Sequence, residues 1–122
     1  MMGPAARTAA LLVTFAWASF ARADEPIERG RALYFGKGFC AACHGQDGKG
    51  LGADIGTTKL RGALPTDFTD REWQRSRSDD ELLSVLRKGS PGTAMAPFVP
   101  LILSEEEARQ VIRYVRSLAS EP

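Results

Sequence analysis

The chain has 122 residues, of which 43% are hydrophobic and 25% are charged, and its formal net charge is +1 at pH 7. This length suits one small domain, and the near-neutral charge lacks the basic excess that is typical of nucleic-acid-binding proteins. The two cysteines of the sequence lie three positions apart, so they cannot crosslink distant segments of the chain.

The first 23 residues are predicted to be a signal peptide that is cleaved on export. Arg7 forms a positive flank, residues 9–20 are almost uniformly apolar, and residues 21–23 read Ala-Arg-Ala, a signal-peptidase pattern. The apolar run is roughly 12 residues long, against the ~20 that span a bilayer, and an uncleaved anchor is the alternative. Cleavage removes Arg7 and Arg22 from the 16 basic residues, which leaves 14 against 15 acidic residues in residues 24–122. Export predicts a periplasmic protein with no integral membrane segment after cleavage.

Residues 24–122 are predicted to form one all-α domain of about four to five short helices with long loops. A first helix is expected over residues 26–35, because proline is tolerated at a helix start. Its small and apolar positions recur at helical spacing: Ile27, Gly30, Leu33 and Tyr34. The glycine-rich stretch over residues 45–65 shows little periodicity and is expected to be a loop.

Three later helices are predicted from capping boxes, in which Ser or Thr lies three residues ahead of Glu. The last helix is amphipathic, and residues 91–100, with three prolines, are expected to form a stiff extended loop before it. No alternating strand pattern appears in the sequence. The predicted boxes are Thr69 with Glu72, Ser78 with Glu81, and Ser104 with Glu107.

Residues 40–44 read Cys-Ala-Ala-Cys-His, the C-x-x-C-H pattern by which c-type haem is attached. Two thiols on one helical turn can each form a thioether with one vinyl group of the same porphyrin. The sequence therefore predicts one covalent haem c at Cys40 and Cys43, with His44 as the proximal iron ligand. A redox dithiol would need a βαβ context that this chain lacks. A structural zinc site would need about four ligands, more than the two cysteines and one histidine supply.

Met95 is the predicted distal iron ligand. His44 is the only histidine of the chain, and Met1 and Met2 lie in the predicted signal peptide. Met95 lies in the proline-stiffened loop, and Ala96, which precedes a proline, is biased to an extended backbone. The alternative interpretation is that Met95 fills a gap in the core.

Other side chains are predicted to surround the haem. Trp73 donates its indole N–H to a haem propionate in one interpretation and only packs in the other. Arg61 and Arg71 are candidate propionate partners. The residues expected to line the pocket, or to form core in any case, are Phe39, Leu60, Leu64, Phe68, Leu82, Leu86, Phe98, Leu101 and Ile102.

Together these residues resemble the class I, mono-haem bacterial cytochromes c over residues 25–118. Gly30 and Tyr34 resemble the small-plus-aromatic pair at which the N-terminal helix of that family crosses the C-terminal helix. Residues 92–98 resemble the family's methionine loop, although Ala96 stands where proline is commoner, and the spacer before Cys40 is longer than usual. The resemblance implies the cytochrome c fold, wrapped around one haem. The matching positions of the C-terminal helix are Ile112, Tyr114 and Val115.

Histidine and methionine ligands leave no open position on the iron, which suits electron transfer rather than substrate activation. The sequence therefore predicts a periplasmic electron carrier, not an enzyme, that passes single electrons from a dehydrogenase to an oxidase or reductase. It is expected to be a monomer or a subunit of a complex. Partners would dock at the thioether edge, near Lys37, Ala41, Ala42 and Gln46.

Two alternatives remain open at this stage. One is a cytochrome subunit bound tightly to a single periplasmic dehydrogenase. The other is a haem sensor or peroxidase-like protein, in which the distal methionine is easily displaced. The absence of a second histidine and of a second haem motif argues against a di-haem peroxidase.

Overall fold

A computed structural model of the protein describes residues 3–5, 18–50 and 62–119. These residues contain five helices and no strand, which confirms the all-α prediction. No helix among the described residues is both long enough and apolar enough to cross a membrane. The helices are α1 (Ala18–Phe35), α2 (Ala41–His44), α3 (Arg71–Ser76), α4 (Asp79–Lys88) and α5 (Glu105–Ser117).

Helix α1 begins earlier than predicted. It begins at Ala18, so Pro26 lies inside the helix rather than at its start. Proline removes a backbone N–H, a loss that a helix tolerates best in its first turn. The predicted cleavage after Ala23 would leave Pro26 in the first turn of the remaining helix. That cleavage stays a prediction.

Helices α1 and α5 cross at Gly30. A Cβ atom on Gly30 would overlap the carbonyl oxygen of Gln110 and would lie 2.9 Å from the Cβ of Tyr114. Tyr34, one turn further along α1, is fully buried, and its ring packs edge-on against Tyr114 at 5.1 Å between centroids. The predicted small-plus-aromatic pair therefore lies at this crossing. Ile112, expected there too, instead packs against α4, because it lies on another face of α5.

The helix starts agree with two of the three predicted capping boxes. Ser78 and Ser104 each accept a hydrogen bond from the backbone N–H three residues on, and the glutamate there returns one. The box at Thr69 is wrong. Asp70 caps α3 instead, and its carboxylate accepts the backbone N–H groups of Glu72 and Trp73.

The core has two clusters that share the residues following Met95. The first cluster joins α1 to α5, and the second joins α4 to α5. Phe98 and Val99 pack against both clusters, and their backbone N–H groups donate to the carbonyl oxygen of Leu86 at 2.8 and 3.0 Å. The segment after Met95 is thus fixed where the two clusters meet. The buried side chains of the two clusters are Tyr34, Leu83, Leu86, Leu103, Ala108, Val111, Ile112, Tyr114 and Val115.

Candidate functional site

The two cysteines and the histidine lie on a single helical turn. The backbone N–H groups of Cys43 and His44 both donate to the carbonyl oxygen of Cys40, at 3.2 and 2.9 Å. Both thiols are half-buried. Phe39, just before this turn, has a φ of 53°, in the left-handed region that side chains other than glycine seldom adopt. The structure therefore brings the three side chains together in the order that the motif predicts.

Burial raises the pKa of the Cys40 thiol to about 11, and the neighbouring Cys43 thiol adds to the rise. An apolar environment disfavours the charged thiolate. A thioether sulfur carries no charge and loses nothing by the same burial. The surroundings of Cys40 therefore suit an uncharged sulfur, which a thioether is at every pH.

The His44 imidazole is oriented by a backbone carbonyl. Its Nδ1 lies 3.2 Å from the carbonyl oxygen of Thr66. A carbonyl only accepts, so Nδ1 carries the proton and Nε2 keeps its lone pair for a metal. Burial lowers the pKa of His44, which favours the neutral imidazole that metals require.

An aromatic ring covers one face of this imidazole. The ring of Phe68 is stacked on that of His44, with centroids 4.2 Å apart and planes inclined by 19°. Phe68 also packs against the ring of Trp73, with 5.6 Å between the ring centroids. Trp73 is thus a packing residue here, and its bond to a propionate stays a prediction.

Residues 62–66 form a bridge between the histidine and the methionine loop. At one end Thr66 accepts the hydrogen bond from His44. At the other end Gly62 lies against the backbone of Gly92, and a Cβ on Gly62 would lie 3.0 Å from the Cα of Thr93. One short segment thus contacts both the loop that carries Met95 and the side chain of His44.

Met95 is partly buried and packs against the α4–α5 cluster. Its backbone is held on both sides: its N–H donates to the Thr93 hydroxyl at 3.1 Å, and its carbonyl accepts from Ser90 at 2.9 Å. These bonds fix the loop locally. Core packing and iron ligation are both compatible with this position, and distal ligation stays a prediction.

The predicted pocket residues divide into buried and exposed groups. Leu86 is buried, whereas Phe68, Leu82 and Phe98 are partly buried. The four exposed members are not core residues, because the folded chain leaves much of their apolar surface uncovered. Their role as haem-lining residues stays a prediction. They are Phe39, Leu64, Leu101 and Ile102, exposed by 71%, 58%, 95% and 42%. Leu60 and Arg61 lie outside the described residues.

The side chains present fit a haem group. Two thiols on one turn, a neutral imidazole with a free Nε2 and a loop thioether are the donor set that a c-type haem uses. Phe39, next to Cys40, and Leu64, in the 62–66 bridge, leave apolar surface available for contact with a large apolar ligand. Among the described residues, no group of three or more His, Cys, Asp or Glu could hold a metal ion.

The polar residues predicted near the site have other contacts. Arg71 donates from Nε to the carbonyl oxygen of Ala119 at 3.2 Å, and its bond to a propionate stays a prediction. Lys37, expected on the docking surface, donates to both carboxylate oxygens of Glu107 at 2.9 and 2.8 Å. Gln46 is exposed, while Ala41 and Ala42 are half-buried.

Two contributors were missed from the sequence. The Thr66 carbonyl is a backbone atom, and no residue pattern marks it. Gln74 is buried in α3, and its amide donates to the carbonyl oxygen of Phe68 at 2.8 Å. A lone glutamine in a short helix carries no signal that would have indicated this role.

Comparisons with known proteins identify the family and support the fold. A family model described as cytochrome C oxidase, cbb3-type, subunit III matches residues 25–115. The solved structure of "KustC0563 c-type cytochrome" is similar at 32% identity with a TM-score of 0.55, covering 73% of this chain and 95% of that one. A chain of the "Kuenenia stuttgartiensis reducing HAO-like protein complex Kustc0457/Kustc0458" is similar at 27% identity with a TM-score of 0.68. That match covers 80% of this chain and 45% of the other, so this chain spans under half of that relative. The curated proteins contain no match.

Proposed function

This chain belongs to the family described as cytochrome C oxidase, cbb3-type, subunit III, and is a c-type cytochrome; from that premise we propose that it carries single electrons between redox proteins. The proposal specifies one haem c, joined covalently to Cys40 and Cys43. His44 and Met95 would be the two side chains that bind the iron. The protein acts as a carrier and catalyses no reaction of its own.

The observation that carries this proposal is the geometry of His44. Its ring follows both cysteines on one turn, its Nδ1 is held by the carbonyl of Thr66, and its Nε2 is left for iron. Such a hydrogen bond fixes the tautomer of a histidine ligand and helps to orient its ring. The bridge over residues 62–66 contacts His44 at one end and the methionine loop at the other.

Electron exchange needs a site that changes little between two oxidation states. When bound, the haem supplies one-electron exchange between ferrous and ferric iron. The chain's own part is to hold the two side chains that would bind the iron, so that no coordination position is left open to a substrate. The Thr66 carbonyl fixes the imidazole, while the hydrogen bonds of Thr93 and Ser90 hold the backbone of Met95. With haem bound, the exposed apolar side chains Phe39 and Leu64 would help to keep water from the iron, a condition that favours a raised potential.

The location that we propose is the periplasm, after removal of residues 1–23. Support comes from the Ala-Arg-Ala pattern at residues 21–23 and from the attachment of haem c outside the cytoplasm. Residues 24–122 would then form the mature cytochrome domain.

A second candidate function is that of a cytochrome subunit in a larger oxidoreductase complex. The observation that favours it is the similarity to a chain of a reducing HAO-like protein complex. Both candidates use the same haem site and differ in whether the partner is permanent. Size-exclusion chromatography of the native protein from its source separates them, because a carrier elutes at its own size and a subunit with its partner.

The proposal is tested by expressing the full chain in a host that matures c-type haem. We expect intact-mass analysis to show a chain that lacks residues 1–23 and has gained the mass of one haem. We expect the oxidised spectrum to be low-spin, with the weak band that a methionine–iron bond gives in this family. An unmodified chain would refute the haem assignment. A high-spin spectrum with rapid carbon monoxide binding would favour the sensor or peroxidase-like alternative.

A further inference from the structure

The proximal histidine has a second restraint besides its hydrogen bond. At 3.2 Å, the contact from Nδ1 to Thr66 is at the long end of the range for N–H···O bonds. An imidazole that binds a metal through Nε2 can still rotate about the bond between Nε2 and the metal when the hydrogen bond of Nδ1 is long. The parallel ring of Phe68, 4.2 Å away, opposes such rotation because the two faces would have to part.

Phe68 is itself held firmly at its backbone. Its N–H donates to the carbonyl oxygen of Gly48 at 2.7 Å, and its carbonyl accepts from the side chain of Gln74 at 2.8 Å. With both backbone groups bonded and its ring against Trp73, Phe68 has little freedom to move. The plane of its ring is therefore set by the surrounding chain rather than by His44.

Gln74 connects this position to the C-terminal helix. The side chain is only 8% exposed, and every polar group on it is used. Its amide nitrogen donates to the carbonyl oxygens of Phe68 and Val115, at 2.8 and 2.9 Å. Its amide oxygen accepts from the Arg116 guanidinium at 2.8 Å. Two carbonyl acceptors and one cationic donor allow a single orientation of this amide.

We infer that Phe68 and Gln74 are positioning residues that set the plane of the proximal imidazole. Phe68 acts by stacking on His44, and Gln74 acts by fixing the backbone of Phe68 to α5. The orientation of a ligand plane controls the splitting of the iron d orbitals, and hence the g values of the ferric protein. This inference rests on the proposed haem ligation by His44.

The test measures electron paramagnetic resonance of the ferric holoprotein in matched variants. Phe68→Leu keeps apolar volume but removes the flat ring, and Gln74→Asn shortens the amide so that it cannot reach both carbonyls. We expect both variants to shift the largest g value by more than its line width. Phe68→Tyr keeps the stacked ring and is expected to keep the g values of the parent protein.

Ser78→Ala serves as the stability control, because it removes a helix cap at α4 and touches neither ring. We expect Ser78→Ala to lower the stability of the protein, as the two test variants do, but to leave the g values equal to those of the parent. Parent g values in both Phe68→Leu and Gln74→Asn would overturn the inference. If Phe68→Leu yields no holoprotein, the milder Gln74→Asn decides the outcome alone. A parent protein without low-spin, histidine-bound haem would instead refute the proposed function and the inference with it.

Discussion

Gly62 lies against Gly92, so that the bridge and the methionine loop touch backbone to backbone. A Cβ on Gly62 would overlap the carbonyl oxygen of Gly92 and lie 3.0 Å from the Cα of Thr93. This contact joins the segment that holds His44 to the loop that carries Met95. The two sides of the proposed haem site therefore depend on each other at this close approach.

Gly62→Ala is expected to displace the methionine loop. The methyl group has no space, and overpacking of this kind costs about 1–3 kcal/mol. We expect a weaker methionine–iron band in the oxidised spectrum and a lower melting temperature. Gly92→Ala is the matched control, since its φ of 82° nearly equals the 81° of Gly62 but nothing lies within 4 Å of the added Cβ. Equal spectra for the two variants would argue against the contact.

Met95→Ala is expected to lower the reduction potential and open the iron to carbon monoxide. Axial ligands set haem potentials over roughly 0.8 V, and loss of the sulfur is expected to cost on the order of a hundred millivolts. Spectroelectrochemical titration gives the potential. Leu83→Ala removes a buried side chain from the same cluster, at a position that is not among the predicted pocket residues, and is expected to keep the parent potential. If Met95→Ala keeps the parent potential, Met95 is a core residue and not the distal ligand.

Gly30→Ala is expected to destabilise the protein, although alanine favours helices over glycine by about 1 kcal/mol. The added Cβ would overlap the carbonyl oxygen of Gln110, so α1 and α5 would have to separate. We expect a loss of about 1–3 kcal/mol in the free energy of unfolding. Ala32→Gly, at an exposed position of the same helix, measures helix propensity alone. A stabilised Gly30→Ala variant would show that the helices do not cross at this residue.

Tyr34→Phe removes a buried hydrogen bond beside the turn that carries Cys40 and Cys43. The Tyr34 hydroxyl donates to the carbonyl oxygen of Gly45 at 2.7 Å, and the tyrosine is fully buried. Its loss leaves that carbonyl without this donor, at a cost of about 1–3 kcal/mol in chemical denaturation. Tyr114→Phe retains the Tyr34 bond and serves as the comparison. A Tyr34→Phe variant as stable as the parent would mean that water replaces the hydroxyl.

The Lys37–Glu107 ion pair is expected to make the stability of the protein depend on pH. The hydrogen bond from Lys37 is the largest cause that lowers the pKa of Glu107. A carboxyl group with a lowered pKa adds stability above its ordinary pKa, and that stability is lost as the pH falls through the lowered value. Lys37→Gln is expected to raise the pKa of Glu107 toward its ordinary value, as measured by NMR titration. The pKa of Glu105, which is held by Arg87, should stay unchanged.

The starts of α4 and α5 were predictable, because a capping box acts within the first turn of a helix. The capping boxes at Ser78 and Ser104 follow this rule. The box at Thr69 failed because its hydroxyl donates to Asp67, while the adjacent Asp70 presents a carboxylate to the first turn. Pro26 misled the start of α1 for a related reason: local preference marks where a helix can begin, not where the chain ahead already forms one.

Local sequence was sufficient to bring Cys40, Cys43 and His44 together, because residues three or four positions apart share one helical turn. It also placed Met95 in a proline-stiffened loop. The restraints on His44 emerge only from the folded chain. Thr66 lies 22 positions further on and acts through a backbone atom, and Phe68 and Gln74 come into place through contacts with α5. Contacts across such separations depend on the paths of loops and on the packing of whole helices, which no short pattern in the sequence encodes.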